Sequence, residues 1–289
     1  LVVRNEALAL DTPLPTPTGW TDVASVQEGD VLIGTEGAVS VTHVTEVYEG
    51  RPCFKVTFQD GTSLVADEGH LWETYVNESN ARPRVRTTRE MFEDGRSFAV
   101  PLISSTFDCP AVELPIDPYV LGYWLGDGDS HEATLAVGDV DYLWLESEMH
   151  KRGLDTHRVV GSQCGKIDRM SLKIPGARRN RNDRKTIPGL YARLKANSLL
   201  ANKHVPDVYL RSSAEQRMDL LRGLMDSDGC IAADNRASCI STNKVLVDAV
   251  TELARSFGYM VTVGSSVDTR FKNPSVIYRV TFRVDARMN

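Results

Sequence analysis

Val120-Leu-Gly-Tyr-Trp-Leu-Gly-Asp-Gly128 and Leu221-Arg-Gly-Leu-Met-Asp-Ser-Asp-Gly229 are two versions of one nine-residue pattern, with glycine third and Asp-Gly at the end. Each runs on into a short β-rich stretch, Thr134–Gly138 and Ser238–Thr242. An amphipathic helix follows and ends at a glycine: Val140 to Gly153 with apolar positions 140, 143, 145 and 149, and Lys244 to Gly258 with 246, 250, 253 and 257. A further strand closes each copy, His157–Val160 and Met260–Val263. Self-similarity on this scale means that one α/β unit occurs twice in the chain.

If each nine-residue segment is a helix stopping at its Asp-Gly, the terminal glycine is expected in the left-handed conformation. Gly122 and Gly223 leave bare backbone on the helix faces, so two such helices can pack closely with equivalent ends adjacent. Asp127 and Asp228 then meet. Carboxylates side by side repel unless they share a proton or a divalent cation. A metal between them suits phosphodiester chemistry, where attacking and leaving oxygens both need stabilising. One Asp-Ser-Asp-Gly alone is an ordinary turn signal. It is not a calcium loop either, because the acidic twelfth position is missing from both copies.

Charge is unevenly distributed. Residues 1–150 carry 8 Lys+Arg against 26 Asp+Glu, net −18; residues 151–222 carry 17 against 6, net +11; the remainder carries 8 against 7, net +1. A basic segment between the two motifs, densest at Arg178-Arg-Asn-Arg-Asn-Asp-Arg-Lys185, points to a polyanionic partner. With 42% hydrophobic and 25% charged residues the chain reads as a soluble globular protein. It has no apolar run of the ~18 residues that a membrane span needs, and Leu1–Glu6 does not read as a signal peptide. Five cysteines without a C-x-x-C pair argue against a disulfide framework or a zinc ribbon and suit a reducing cytoplasm. No two of the six histidines lie three or four apart, and no phosphate-loop glycine pattern occurs, so zinc-enzyme and nucleotide-hydrolase readings lack support.

The first hundred residues read as all-β. Thr12–Gly19, with three prolines, is extended or turn; Asp30–Gly34, Val39–Thr45, Cys53–Phe58 and Leu64–Ala66 are strand-like, with a hairpin at Gln59-Asp-Gly-Thr-Ser63. Pro101 to Pro118, with four prolines, is the candidate linker.

The two motifs resemble the paired signature helices of LAGLIDADG homing endonucleases, in the dodecapeptide form found inside inteins. In that family the eighth motif position is the acidic metal ligand, which falls on Asp127 and Asp228. The metal site implied includes Gly126 and Ser227 beside them, with Mg²⁺ as cofactor. The first copy departs at position six, where Leu125 replaces the aspartate that the second copy keeps as Asp226. Asn202-Lys-His-Val-Pro-Asp-Val-Tyr-Leu210 is similar to the block carrying an active-site lysine, here Lys203; a second lysine is expected from the other repeat, for which Lys272 is the candidate. Such enzymes bind long duplex sites with β-ribbons in the major groove, which implies DNA contacts from Arg178, Arg179, Arg181, Arg184, Lys185, Arg279 and Arg283.

The front half resembles the splicing domain of inteins, especially those of mycobacteria and their phages. Ala7–Trp20 is similar to the opening block. Gly61–Trp72 is similar to the block whose histidine activates the amino-terminal scissile bond, here His70, with Asp67 where a threonine is usual. Splicing ordinarily starts on a Cys or Ser side chain, but Ala7 holds that position. Trp72 stands where inteins of the third mechanistic class, which lack that nucleophile, carry a tryptophan; a Cys-to-Ala substitution is the other explanation. Nothing near Met288-Asn289 matches the closing blocks, so the expectation is a splicing domain incomplete in this chain.

The resemblance implies a multi-domain protein: a host-protein remnant (1–6), the N-terminal part of an all-β Hint-type splicing domain (7–105) and an α+β pseudo-twofold endonuclease domain (106–289, repeats about 118–200 and 201–289). The expected function is Mg²⁺-dependent double-strand cleavage at the intein-less gene. Double-stranded DNA and the flanking host-protein exteins are the expected partners of a monomeric, cytoplasmic protein of a bacterial or phage-infected cell. The alternatives are a cleavage-inactive, maturase-like DNA binder and a splicing-only intein with a degenerate endonuclease.

Overall fold

The computed structural model describes residues 7–34, 37–76, 82–101, 109–159, 167–177, 188–269 and 274–284. The chain divides into two compact units, Leu1–Asp108 with Ser256–Gly258, and Cys109–Arg255 with Tyr259–Asn289. Among the described residues no helix is long and apolar enough to cross a membrane.

The first unit is a set of antiparallel hairpins: β1 (Pro13–Thr16) with β2 (Gly19–Asp22), β3 (Val31–Gly34) with β4 (Gly37–Ser40), β5 (Cys53–Thr57) with β6 (Ser63–Asp67), and β7 (Leu71–Thr74) with β8 (Arg84–Thr87). Gly61, at φ +84°, turns the β5–β6 hairpin where the Asp-Gly signal lies. Three expectations change. The proline-rich opening is itself a hairpin, with Pro13 and Pro15 on β1, which has a single partner strand and so tolerates their missing donors. The run Val39–Thr45 is strand only as far as Ser40, because the partner strand turns away at Gly29, φ +93°. The unit is also not all-β: α1 (Thr88–Asp94) follows β8, started by a capping box in which Thr87 and Glu90 exchange side-chain-to-backbone hydrogen bonds and ended by left-handed Gly95.

The second unit repeats one topology. Its first copy is α2 (Pro118–Asp127), β9 (Thr134–Gly138), α3 (Tyr142–Lys151), β10 (Asp155–Val159) and β11 (Ile167–Lys173), followed by α4 (Leu190–Ala196) and α5 (Asp207–Leu210). Its second copy is α6 (Ala214–Asp228), β12 (Gly229–Ile231), β13 (Arg236–Ser241), α7 (Lys244–Ser256), β14 (Val261–Asp268) and β15 (Ser275–Arg283). The antiparallel sheets run β9-β11-β10 and β12-β13-β15-β14, so the copies share one strand order. What is strand β12 in the second copy is a single bridge, Gly128 to Leu135, in the first.

Helix α2 begins with Asp117 capping Val120 N–H and Pro118 in the first turn; α6 begins with a Ser213–Gln216 capping box. Tyr119 to Leu125 are all buried, as expected of a helix apolar on every side. On α7 the expected core positions 246, 250 and 253 are buried, as is 257 just past its end. On α3 half of the expected stripe is wrong: Val140 precedes the helix and is 93% exposed and Leu143 is 75% exposed, whereas Leu145 and Met149 are buried as expected and Tyr142 joins them. The candidate linker is also shorter than expected. Residues 109–117 are fastened to the second unit, with Gln216 bonding both backbone groups of Val112 and the Tyr209 hydroxyl bonding both of Ile116.

Candidate active site

The two motif helices touch backbone to backbone. A Cβ placed on Gly122 would lie 2.3 Å from Leu220 O, and one on Gly223 would lie 2.2 Å from Tyr119 O. One on Gly126 would lie 2.1 Å from Ser227 Oγ. Only glycine permits that approach. The terminal glycines correct the sequence reading: Gly128 (φ −75°) and Gly229 (φ −97°) are extended, not left-handed. They are needed for space, since a Cβ would meet Trp124 O at 2.3 Å or the Met225 side chain at 2.4 Å.

This packing brings the ends of α2 and α6 together. Asp127 is half-buried and its carboxyl is pushed up to about 6, by burial first and by the charge of Asp228 second, with Lys203 opposing. Asp228 is exposed on its solvent side, yet the crowded helix ends still raise its pKa through desolvation, again opposed by Lys203. Both carboxylates also stand at helix C-termini, where the helix dipole disfavours negative charge.

Lys203 is the third member. Its Nζ donates to Gly126 O (3.1 Å) and Gly128 O (2.7 Å) and lies 5.2 Å from the centroid of the Trp124 ring. Desolvation lowers its pKa, and Asp228, Asp127 and Asp129 oppose that. Its segment is tied down on both sides: Ala201 N–H donates to Ser130 O (2.7 Å) and Asn243 donates to Lys203 O (2.8 Å). Gly126 O is thus engaged by Lys203, and Ser227 Oγ turns back onto the carbonyls of Gly223 and Leu224. Lys272, Arg178, Arg179, Arg181, Arg184 and Lys185 lie outside the described residues.

Tyr119 and Arg152 were not singled out from sequence. The Tyr119 hydroxyl donates to Asp226 (2.8 Å), and the Arg152 guanidinium lies 4.0 Å over the Tyr119 ring while bonding Asp117 and Asp219. Asp226 therefore braces α2 against α6, whereas Leu125 at the same motif position of α2 is buried in the core. No sequence pattern marks Arg152, which meets Tyr119 only through the fold.

In each sheet of this unit the face away from the buried core carries basic side chains. On β15, Val280 and Phe282 point inward, so Arg279 and Arg283 share the opposite face. The matching face of the first sheet carries His157, Arg169 and Lys173, which the sequence reading did not single out. Their signal is the alternation Arg169-Met-Ser-Leu-Lys173, in which Met170 and Leu172 are buried.

In the first unit, Asp67 N–H donates to Ala7 O (2.9 Å), setting Ala7 beside the block that holds His70. Asp67 is buried and paired with Arg51 (2.8 Å). The rings of His70 and Trp72 meet edge to face at 4.9 Å, and burial lowers the His70 pKa against the pull of Asp67. Trp72 Nε1 donates to Thr88 Oγ1 (2.9 Å). Trp72→Phe is expected to keep the ring contact but cost the first unit about 1 kcal/mol, the net value of one hydrogen bond, in urea unfolding.

No protein-family model matches the chain. It is 34% identical over 310 residues to the replicative DNA helicase DnaB of Mycobacterium intracellulare, covering 98% of this chain and 48% of that protein. The chain therefore spans about half the length of that relative. Among solved structures, the MchDnaB-1 intein is similar at 48% identity over 29% of this chain and 60% of that one, with a TM-score of 0.26. The homing endonuclease I-DmoI in complex with DNA and Ca is similar at 14% identity over 60% of this chain and 85% of that one, with a TM-score of 0.36. In this chain the paired glycine-bearing helices present two carboxylates, with a lysine beside them. Nearly the whole chain thus has its counterpart within a DnaB protein, and part of it is similar to a DnaB intein.

Proposed function

We propose that the second unit is a site-specific, Mg²⁺-dependent DNA endonuclease, acting as a monomer on both strands of an intein-less DnaB gene. The observation that carries this reading is the meeting of Asp127, Asp228 and Lys203 at the ends of two helices from separate repeats. The donor set fits a hard cation. Among the described residues there is no group of three or more His, Cys, Asp or Glu able to hold a metal. Two carboxylates with the remaining positions left to water and phosphate is how Mg²⁺ is usually bound. When bound, the cation would stabilise charge on the attacking and leaving oxygens of the phosphodiester. Lys203, held next to both carboxylates, would neutralise charge developing on the phosphate. The basic sheet faces would follow the duplex through phosphate and base contacts.

On this reading the chain is an intein sequence with a LAGLIDADG-type nuclease at 106–289, splicing-domain residues at 7–105 and DnaB segments as the exteins. We further assign the front half to the third mechanistic class, supported by Ala7 in place of a nucleophile and by Trp72 against His70. With burial lowering its pKa, His70 is neutral at pH 7 and able to exchange a proton with the scissile peptide.

Metal affinity should follow pH. Protonation of Asp127 at about 6 competes with the cation. Mg²⁺ affinity, measured by calorimetric titration, is expected to rise about tenfold per pH unit below 6 and to level off above 7. Metal-free stability should run the other way. Between its unfolded value near 3.8 and about 6, Asp127 holds its proton in the native state only, so stability falls as pH rises through that window. The functional reading itself is tested by gel shift with duplex DNA spanning the DnaB insertion point, in Ca²⁺ to withhold cleavage. Retention of that duplex over a scrambled one is expected; equal retention of both would overturn it.

A further inference from the structure

On the open face of the second sheet Arg279 occupies an unusual position. Register places it between Ile240 of β13 and Gly264 of β14. A Cβ on Gly264 would meet nothing within 4 Å, so the strand beside Arg279 is bare. A shallow cavity of about 190 Å³ opens there, lined by Arg279, Gly264, Ile240 and Ile277 among others. Ile240 is 39% exposed although its strand is paired on both sides. No other described side chain pairs with Arg279, whereas Arg236 on the same face is held by Asp234. A guanidinium unpaired among the described residues, in a glycine gap flanked by exposed Ile240 and half-buried Ile277, is a combination that phosphate binding alone does not call for.

We propose that Arg279 is a base-reading, specificity-determining residue that takes a guanine edge in the major groove, with Ile240 and Ile277 favouring thymine as its neighbour. This rests on the endonuclease reading given above. Arginine matches guanine O6 and N7 with two parallel hydrogen bonds, and apolar side chains match the thymine methyl. Gly264 removes the side chain that would keep a base edge from reaching the strand. Arg283 shares the face but lies opposite Arg236, where two guanidiniums side by side suit phosphate instead. The location on DNA also follows. Gly229, directly after Asp228, registers with Cys239, and Ile240 registers with Arg279, so Asp228 is nearly level with Arg279 across the sheet. Two strand spacings of about 4.8 Å put their backbones about 10 Å apart. At about 3.4 Å per base pair, the guanine lies about three base pairs from the cleaved bonds, in one half-site only.

The test is selection of bound duplexes in Ca²⁺ from a library randomised across the DnaB insertion point, using the full chain, Arg279→Ala, Gly264→Gln and Arg283→Ala. The expected wild-type consensus has a guanine next to thymine at about that distance in one half. Arg279→Ala and Gly264→Gln should each reduce the guanine preference about tenfold or more at that position and leave the other positions unchanged. Arg283→Ala should weaken all sequences alike. Gly264→Gln reads the same niche even if Arg279→Ala misfolds, because its Cβ has open space. A wild-type consensus that neither niche variant alters overturns the assignment of Arg279. A wild-type selection with no consensus overturns the DNA-reading function, and the assignment with it.

Discussion

Asp228→Asn is expected to lower DNA cleavage by at least about 10³-fold while leaving duplex binding within a few-fold of wild type. The substitution keeps size and removes charge, so the close contact of α6 with α2 is undisturbed. What disappears is half of the carboxylate pair that would hold the cation, and a metal-held charge is worth several kcal/mol at a phosphoryl centre. The variant carries a second signature. The charge of Asp228 is the second contributor, after burial, to the raised pKa of Asp127. In Asp228→Asn the Asp127 carboxyl should therefore titrate below about 6, which carboxyl-carbon NMR can follow. A structural role for Asp228 alone would not move that titration in this direction.

Gly223→Val should cost the second unit more than about 3 kcal/mol, beyond the usual range for overpacking. The atom in the way is the carbonyl oxygen of Tyr119, 2.2 Å from the new Cβ, with Tyr123 N at 2.8 Å. Neither can rotate aside as a side chain would, so the helices must separate. Their separation would strip cover from Tyr119, Trp124, Leu220 and Leu224, all buried in this unit. Gly264→Val is the control: it adds the same side chain where nothing lies within 4 Å. Thermal unfolding by circular dichroism should show the first variant losing its cooperative transition and the second keeping it. Equal midpoints for the two would contradict the account of helix contact.

The same glycines explain what the sequence makes legible. Gly122 and Gly223 at one position of a repeated pattern, followed by equivalent aspartates, imply two helices in contact with their carboxylates adjacent, and that is the observed geometry. Lys203 could not be placed by spacing, because it lies in an irregular segment 75 residues from the Gly128 carbonyl that it bonds; the family block supplied it. Local chemistry misled where two mechanisms predict the same residue. Glycine after a helix suggests a left-handed turn, but Gly128 and Gly229 are there because Trp124 and Met225 fill the space a side chain would take. Helix α1 is marked only by Thr87 and Glu90, a capping box inside a stretch dominated by strand formers. On α3, Val140 and Leu143 are apolar yet exposed, and periodicity cannot distinguish an apolar surface residue from a core one.

The most direct measurement is incubation of the chain with Mg²⁺ and a supercoiled plasmid bearing the uninterrupted DnaB insertion point, beside the same plasmid without it. The account predicts linearisation of the first plasmid only, abolished by chelating the metal and by Asp127→Asn. Retention of that DNA with both strands intact at saturating Mg²⁺ would contradict it, leaving a domain that recognises its site without cutting.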